Sequence, residues 1–348
     1  MWPSSPHPLL RGRDGPTLRC LVVDEAPEIV SQIHGQVSGL LPGVILLPPA
    51  RDGSEALRRV RDYRPDILFL DLDMPRMSGL TTLRALAGVR PARTIVLAPE
   101  TRDGGRAAWE ALGLGATDFL PKRGSGGHPM INMSDSDLED RLRVLLGPQA
   151  RPSGGRVVRV RTRPAAQSEM DSLAALVILV ETRRLVATAR RLSRLCGSLP
   201  IPLLLDVPHP PRFTPAIAEG LDRMTRCPVR VAVPGERLAP GHIFLVPAGR
   251  HAFLRGPRGE VDINLAPFPC RSLGALHHRR SIRALLDPEG SIGGIALTVP
   301  PSGWAIAPAQ RAARRGRLFF LSTCGDRGED PCLKMIERVA LRRSARAA

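Results

Sequence analysis

The stretch Pro65-Asp66-Ile67-Leu68-Phe69-Leu70-Asp71-Leu72-Asp73-Met74-Pro75-Arg76-Met77-Ser78-Gly79 decides the fold of the first half of the chain. Ile67 to Leu70 is a continuous apolar run, as expected of a strand buried on both faces of a parallel sheet. The run stops at an aspartate, and open α/β sheets gather their ligands at the carboxyl ends of strands. Pro75 and Gly79 then turn the chain toward a helix. Asp71 is therefore the first candidate for chemistry.

The same pattern repeats on either side. Arg19 to Val23 is an apolar run that ends in Asp24-Glu25. Ala26 to Leu40 carries Ile29, Val30, Ile33, Val37 and Leu40 at helical spacing, and Val44 to Leu47 reads as a strand. Ser54 to Val60 reads as a helix opened by a serine cap. After Asp71 come a helix from Leu80 to Ala87, a strand from Thr94 to Leu97 and a helix from Gly105 to Leu112. A strand from Thr117 to Leu120, ahead of Pro121-Lys122, and a helix from Ser134 to Leu146 complete the unit.

Strands alternating with helices predict a doubly wound parallel sheet. Three of its strand ends bring Asp24, Glu25, Asp71 and Lys122 together. Clustered carboxylates repel one another unless a divalent cation neutralises them, and hard oxygen ligands suit Mg²⁺. A lysine beside them balances an incoming phosphoryl group. Such a site is suited to placing phosphate on Asp71 as a mixed anhydride.

Residues 19–146 accordingly resemble a response-regulator receiver domain, with a flavodoxin-like sheet. The resemblance rests on Asp24-Glu25, on Asp71 with Met74-Pro75 and Gly79, and on Gly115-Ala116-Thr117-Asp118-Phe119-Leu120-Pro121-Lys122. It implies that Asp71 is the phosphoacceptor and that Asp24, Glu25, Asp71 and the backbone carbonyl of Asp73 hold Mg²⁺. It further implies that Lys122 contacts the phosphate and that Phe119 occupies the aromatic switch position. One position departs: Ala98 stands where the family has a Thr or Ser hydroxyl that grips the phosphoryl group.

The 348 residues allow two domains of ordinary size. Residues 147–172 are rich in Pro, Gly and Arg and read as a linker. Residues 173–341 again alternate apolar strands and helices: strands at Leu173–Val180, Pro202–Leu205, Ile243–Val246, Ile295–Val299 and Leu318–Leu321, helices at Leu185–Leu195 and Ala216–Met224. Pro210-Pro211-Arg212-Phe213-Thr214, Ala218-Glu219-Gly220-Leu221 and Leu238-Ala239-Pro240-Gly241-His242 through His251 resemble the catalytic domain of the chemotaxis protein-glutamate methylesterase family, CheB. The resemblance implies a CheA-type histidine kinase as phosphodonor and a chemoreceptor, or another acidic protein surface, as partner.

At the positions of that family's Ser-His-Asp triad the sequence reads differently. Glu181 stands at the serine, Pro208 at the histidine and Gly303 at the aspartate, and the glycines of the nucleophile turn have become Arg183 and Arg184. Acyl transfer needs a nucleophile, a base and an oxyanion hole. The expectation is a methylesterase-like α/β domain with no catalytic residues, acting as a binding or regulatory module. The alternative is an active methylesterase or glutamine deamidase rebuilt one residue along, on Thr182 and His209. His242, His251, His277 and His278 read as surface or loop histidines.

Composition narrows the rest. The formal charge is +17, yet residues 1–128 hold 16 basic and 14 acidic groups, so almost all of the excess lies beyond them. That excess suits an acidic partner. No helix-turn-helix or aromatic-interleaved basic platform is present, and aromatics are 3% of the chain, so nucleic acid is not expected. No stretch approaches the ~18 apolar residues of a membrane span. The N-terminus lacks the apolar core of a secretory signal, and the six cysteines show no C-x-x-C spacing. A cytoplasmic location is expected.

Overall fold

The computed structural model describes residues 18–88, 93–123, 129–131, 134–146, 174–194, 201–225, 227–256 and 260–267, together with the strands at 295–299 and 318–323. It divides into two compact units, Met1–Glu139 and Asp140–Ala348.

In the first unit β1 (Arg19–Val23), α1 (Pro27–Leu40), β2 (Ile45–Leu46), α2 (Gly53–Tyr63), β3 (Ile67–Asp71), α3 (Gly79–Leu86), β4 (Arg93–Pro99), α4 (Arg102–Gly113) and β5 (Asp118–Arg123) alternate in sequence. A short β6 (Met130–Ile131) follows, and then α5 (Asp135–Leu146), which begins in this unit and runs past its boundary at Glu139. The sheet order is β2-β1-β3-β4-β5-β6, with β6 antiparallel to β5 and the other pairs parallel. This is the doubly wound, flavodoxin-like order, whose crevice opens where the winding reverses, between β1 and β3. All five residues of β3 are buried. Each large aliphatic among them is worth about 1.5–3 kcal/mol in removed apolar surface, which fixes the strand that carries Asp71.

Two local details differ from the sequence reading. Asp52, not Ser54, caps α2: its carboxylate accepts from the Glu55 amide at 2.9 Å. The Glu55 carboxylate in turn accepts from the Arg51 amide, so the acids close the helix start two residues earlier than Ser54 would. β6 has no visible period in the sequence because it is only two residues long. Gln32 of α1 holds it, pairing its side-chain amide with both the N–H and the carbonyl of Ile131 at 2.8 and 2.9 Å.

In the second unit β7 (Ala175–Leu179), α6 (Leu185–Leu192), β8 (Leu203–Asp206), α7 (Thr214–Thr225), β9 (Val229–Val231), β11 (Ile243–Leu245), β14 (Ile295–Val299) and β15 (Leu318–Thr323) form an α/β layer. Its six strands are parallel, in the order β15-β14-β7-β8-β11-β9. β10 (Glu236–Arg237), β12 (Arg250–Arg255) and β13 (Asp262–Pro267) make a separate antiparallel ribbon in the order β10-β13-β12. His251 corrects the sequence reading. It lies buried on β12, paired with Ala266 of β13. His242 is half-buried, its Nδ1 3.1 Å from the Pro240 carbonyl. His277 and His278 lie outside the described residues.

Candidate functional site

Asp24 follows β1 and Asp71 ends β3, so the two acids flank the crevice at the reversal of the first sheet. Lys122 is near the end of β5 and crosses to both. Its Nζ donates to Asp24 Oδ2 at 2.8 Å and to Asp71 Oδ2 at 2.6 Å. Both carboxylates are fully buried as side chains, whereas that of Lys122 is 15% exposed. The remaining oxygens meet backbone: Asp24 Oδ1 accepts from the Ala26 amide at 2.9 Å, and Asp71 Oδ1 from the Asp73 amide at 3.3 Å.

Two buried acids and one base leave the crevice with a net charge of −1. Burial, reinforced by the Asp24 charge, pushes the Asp71 carboxyl up to about 6 despite Lys122. Burial likewise raises Asp24 against the pull of Lys122. For Lys122 burial acts downward, but the Asp71 and Asp24 carboxylates outweigh it and hold the ammonium more firmly. Buried carboxylates with raised proton affinity, one more negative charge than the lysine can cancel, and an open rim are a donor set that fits a hard divalent cation.

Glu25 and Asp73 sit exposed on the loops after β1 and β3. The structure thus brings Asp24, Asp71 and Lys122 into contact and leaves Glu25 and Asp73 beside them. Among the described residues no three metal-binding side chains are gathered into one cluster. The β3–α3 loop is tightly set. Arg76 adopts a left-handed backbone (φ 63°) and its guanidinium pairs with Asp52, tying the loop to the cap of α2. Gly79 is needed for close approach, since a Cβ there would lie 2.1 Å from the Asp71 carbonyl oxygen. Ala98 is buried on β4 and pairs with Pro121, and Phe119 is buried on β5.

The second sheet has its own reversal, between β7 and β14, with β8 on the other side of β7. Glu181, just past β7, is buried, and its Oε2 is 2.8 Å from Arg183 Nε and 3.6 Å from Arg184 Nε. Leu179 is in register with Asp206, the buried last residue of β8. The Thr182 hydroxyl donates to the Pro208 carbonyl at 3.3 Å. His209 is buried, its Nδ1 2.7 Å from the Val207 carbonyl and its Nε2 2.8 Å from the Thr214 hydroxyl. A carbonyl only accepts, so Nδ1 carries a proton, and Nε2 pairs with the Thr214 hydroxyl. Thr182 and His209 are thus each committed to other partners. Gly303 lies outside the described residues.

Sequence reasoning missed Asp206 and Thr214. Asp206 was within reach: Leu203-Leu204-Leu205-Asp206 is an apolar run ending in an aspartate, the same signal that found Asp71. Thr214 was not, because a short 3₁₀ turn at Pro211–Phe213 folds it back onto His209 from five residues away.

A parallel sheet presenting two buried acids and a lysine at its reversal, joined to a second α/β unit, defines the class as a response regulator with an appended α/β domain. Residues 20–128 match the family described as response regulator receiver domain, and residues 177–288 match that described as CheB methylesterase. A protein-glutamate methylesterase/protein-glutamine glutaminase of Anaeromyxobacter dehalogenans is 32% identical over 320 residues, covering 85% of this chain and 87% of its own length. A relative of the same description from Oleidesulfovibrio alaskensis is 29% identical over 305 residues, covering 76% and 83%. The response regulator domain of Thermotoga maritima CheB is 26% identical, with a TM-score of 0.29 over 36% of this chain and 90% of that one. The chain belongs to the CheB protein-glutamate methylesterase family, receiver domain first and methylesterase domain second.

Proposed function

We propose that the chain is a chemotaxis response regulator phosphorylated on Asp71, whose methylesterase-like domain acts by binding rather than by hydrolysis. The first half of the reading is carried by Lys122 bridging Asp24 and Asp71 in the first crevice. Asp24, Asp71 and the Asp73 carbonyl, with Glu25 at the rim, would hold Mg²⁺, which would offset charge on the phosphoryl oxygens. An Asp71 carboxylate oxygen forms the new P–O bond as the donor's P–N bond (phosphohistidine of a CheA-type kinase) or P–O bond (acetyl phosphate) breaks. The Lys122 ammonium stays at the phosphoryl group as a fixed positive charge. Ala98 offers no hydroxyl to that group, so little would tie phosphorylation to the buried Phe119.

The second half is supported by Glu181. At the position the family uses for a nucleophilic serine, this chain has an acceptor-only carboxylate in an ion pair. Pro208 has no side-chain base, and Gly303 has none to orient one. The reading places the domains at 19–146 and 173–341 with a linker at 147–172, the protein in the cytoplasm, and a chemoreceptor or other acidic protein as its partner. No helix among the described residues is long and apolar enough to cross a membrane.

One observation favours a second reading, residual esterase or deamidase activity. The Thr214 hydroxyl on His209 Nε2 is a hydroxyl–imidazole pair at hydrogen-bonding distance. Both residues are buried, however, so substrate could reach them only after the turn opens.

The deciding experiment treats the purified chain with acetyl phosphate and Mg²⁺, with Asp71→Asn as control, in the presence of methyl-esterified receptor. Label on Asp71 with no methanol released is the expected result. Methanol release abolished by His209→Ala would overturn the non-catalytic reading, and failure of Asp71 to label would overturn the first half.

A further inference from the structure

The loop between Asp71 and Gly79 carries more restraint than a turn into a helix needs. At its inner end the Asp73 amide donates to Asp71 Oδ1 at 3.3 Å, and the Gly79 amide donates to the Leu72 carbonyl at 3.2 Å. Its outer end is held by a different element, the start of α2. The left-handed backbone of Arg76 costs about 1–2 kcal/mol in a residue with a Cβ, and such a conformation persists only where the surroundings fix it. Arg76 Nη2 donates to Asp52 Oδ2, while Oδ1 of the same carboxylate accepts from the Glu55 amide at 2.9 Å as the cap of α2. The loop also packs on that helix. A Cβ at Gly53 would lie 2.7 Å from Met77 Cγ and 2.0 Å from Thr82 Oγ1, and the Ser54 hydroxyl donates to Met77 Sδ at 3.8 Å.

We propose that Asp52 and Arg76 are positioning residues for the phosphoacceptor, holding the Asp73 peptide against Asp71 from outside the crevice. That peptide is where the restraint is used. Its N–H holds Asp71 Oδ1 while Lys122 holds Oδ2, so both oxygens of the acceptor have a fixed direction. Its carbonyl is the backbone ligand for Mg²⁺ in the proposed reaction. The chain between Asp73 and Arg76 has little freedom to absorb a shift. Met74 is buried, the Pro75 ring fixes its own φ, and the Pro75 carbonyl accepts from the Met77 amide at 2.6 Å. A displacement of Arg76 is therefore passed back to Asp73. The Arg76 side chain is 73% exposed and that of Asp52 13%. So open an ion pair adds little to stability, which separates positioning from a role in holding the unit folded. The proposal rests on the reading of Asp71 as phosphoacceptor and adds to it the residues that aim the site.

The test uses the full chain and two variants. Asp52→Asn keeps a cap of equal rank on α2 and removes the charge that Arg76 pairs with. Arg76→Gly keeps the left-handed backbone available and removes the guanidinium. Mg²⁺ binding is measured by isothermal titration calorimetry, and labelling of Asp71 by acetyl phosphate is followed across a Mg²⁺ series. Each variant is expected to bind Mg²⁺ about three- to fivefold more weakly, the scale of one exposed charge pair. Half-maximal labelling should move by the same factor, with the rate at saturating Mg²⁺ little changed and the melting transition of Asp52→Asn in place. The double variant should bind no more weakly than either single one, because both remove the same contact. Unchanged Mg²⁺ affinity in either variant, a double variant in which the two losses add, or an affinity loss in Asp52→Asn matched by a lowered melting transition would each overturn the proposal. Failure of the parent chain to bind Mg²⁺ or to label at Asp71 would overturn the phosphoacceptor reading and the proposal with it, and that failure is told apart because it appears before any substitution is made.

Discussion

Asp71→Asn should make the chain more stable, and by an amount that grows with pH. In the folded protein the Asp71 carboxyl is raised from 3.8 to about 6, first by burial and then by Asp24. A carboxyl that holds its proton more tightly when folded contributes stability below its unfolded pKa and loses it as the pH rises through its folded pKa. At one pKa unit per about 1.4 kcal/mol, a shift of roughly two units makes ionised Asp71 cost about 3 kcal/mol in the folded state. Asparagine does not titrate and leaves Lys122 wholly to Asp24, which is relieved of a like charge. The variant should therefore gain up to about 3 kcal/mol on the parent between pH 4 and pH 8, on the same ground. The assay is urea unfolding at a series of pH values, followed by the fluorescence of Trp109, which is buried on α4. A background with Trp2→Phe and Trp304→Phe isolates that signal. Mg²⁺ should flatten the parent's curve and leave the variant's almost unchanged. A stability difference that stays flat from pH 4.5 to 8, or one that shrinks as the pH rises, would refute the account of this crevice as electrostatically frustrated.

Two further outcomes follow from the loop beside Asp71. Gly79→Ala would place a Cβ 2.1 Å from the Asp71 carbonyl oxygen and 2.7 Å from the Leu72 Cα, both backbone atoms. The β3–α3 turn must then move, costing about 1–3 kcal/mol and, by acetyl-phosphate labelling, most of the phosphorylation rate. Asp52→Ala removes the cap of α2 and the anchor of Arg76 together. It should destabilise by about 1 kcal/mol in thermal melts and lower Mg²⁺ affinity while leaving Asp71 able to be labelled at saturating Mg²⁺.

What the sequence made legible follows its physical signals. Buried parallel strands are long apolar runs, so β1, β3, β4, β7 and β14 were readable directly, with their ends and the acids they deliver. β9, β10, β12 and β13 were not: they are short or half-exposed, and their arginines and acids mask any alternation. In the first site, Asp24, Asp71 and Lys122 were identifiable because each stands at a strand end of a known winding order. The site's finer geometry was not. Nothing in a string of residues says that Lys122 reaches both acids at once, or that Arg76 closes on Asp52 from 24 positions away. In the second unit the replaced residues were legible as replacements, but not the contacts they form. Arg183 and Arg184 looked like lost glycines, and only the fold shows both guanidinium groups turned onto Glu181.

The two crevices are built alike and filled differently. Each lies where a parallel sheet reverses its winding, and each receives its polar groups from strand ends. The first holds two carboxylates and one ammonium, an arrangement that burial makes costly, as the upward shift of Asp71 records. Folding gains nothing from such a pair, since apolar side chains of similar size would pack there without the penalty. A site that lowers stability in this way is the usual mark of a group kept for its chemistry, here one that becomes favourable when a cation and a phosphoryl group arrive. At the end of β7 the Glu181 carboxylate instead meets two guanidinium groups, those of Arg183 and Arg184. Shared topology therefore cannot assign the two units one kind of ligand. In the first crevice the sign of the unbalanced charge does: a cation at the end of β3.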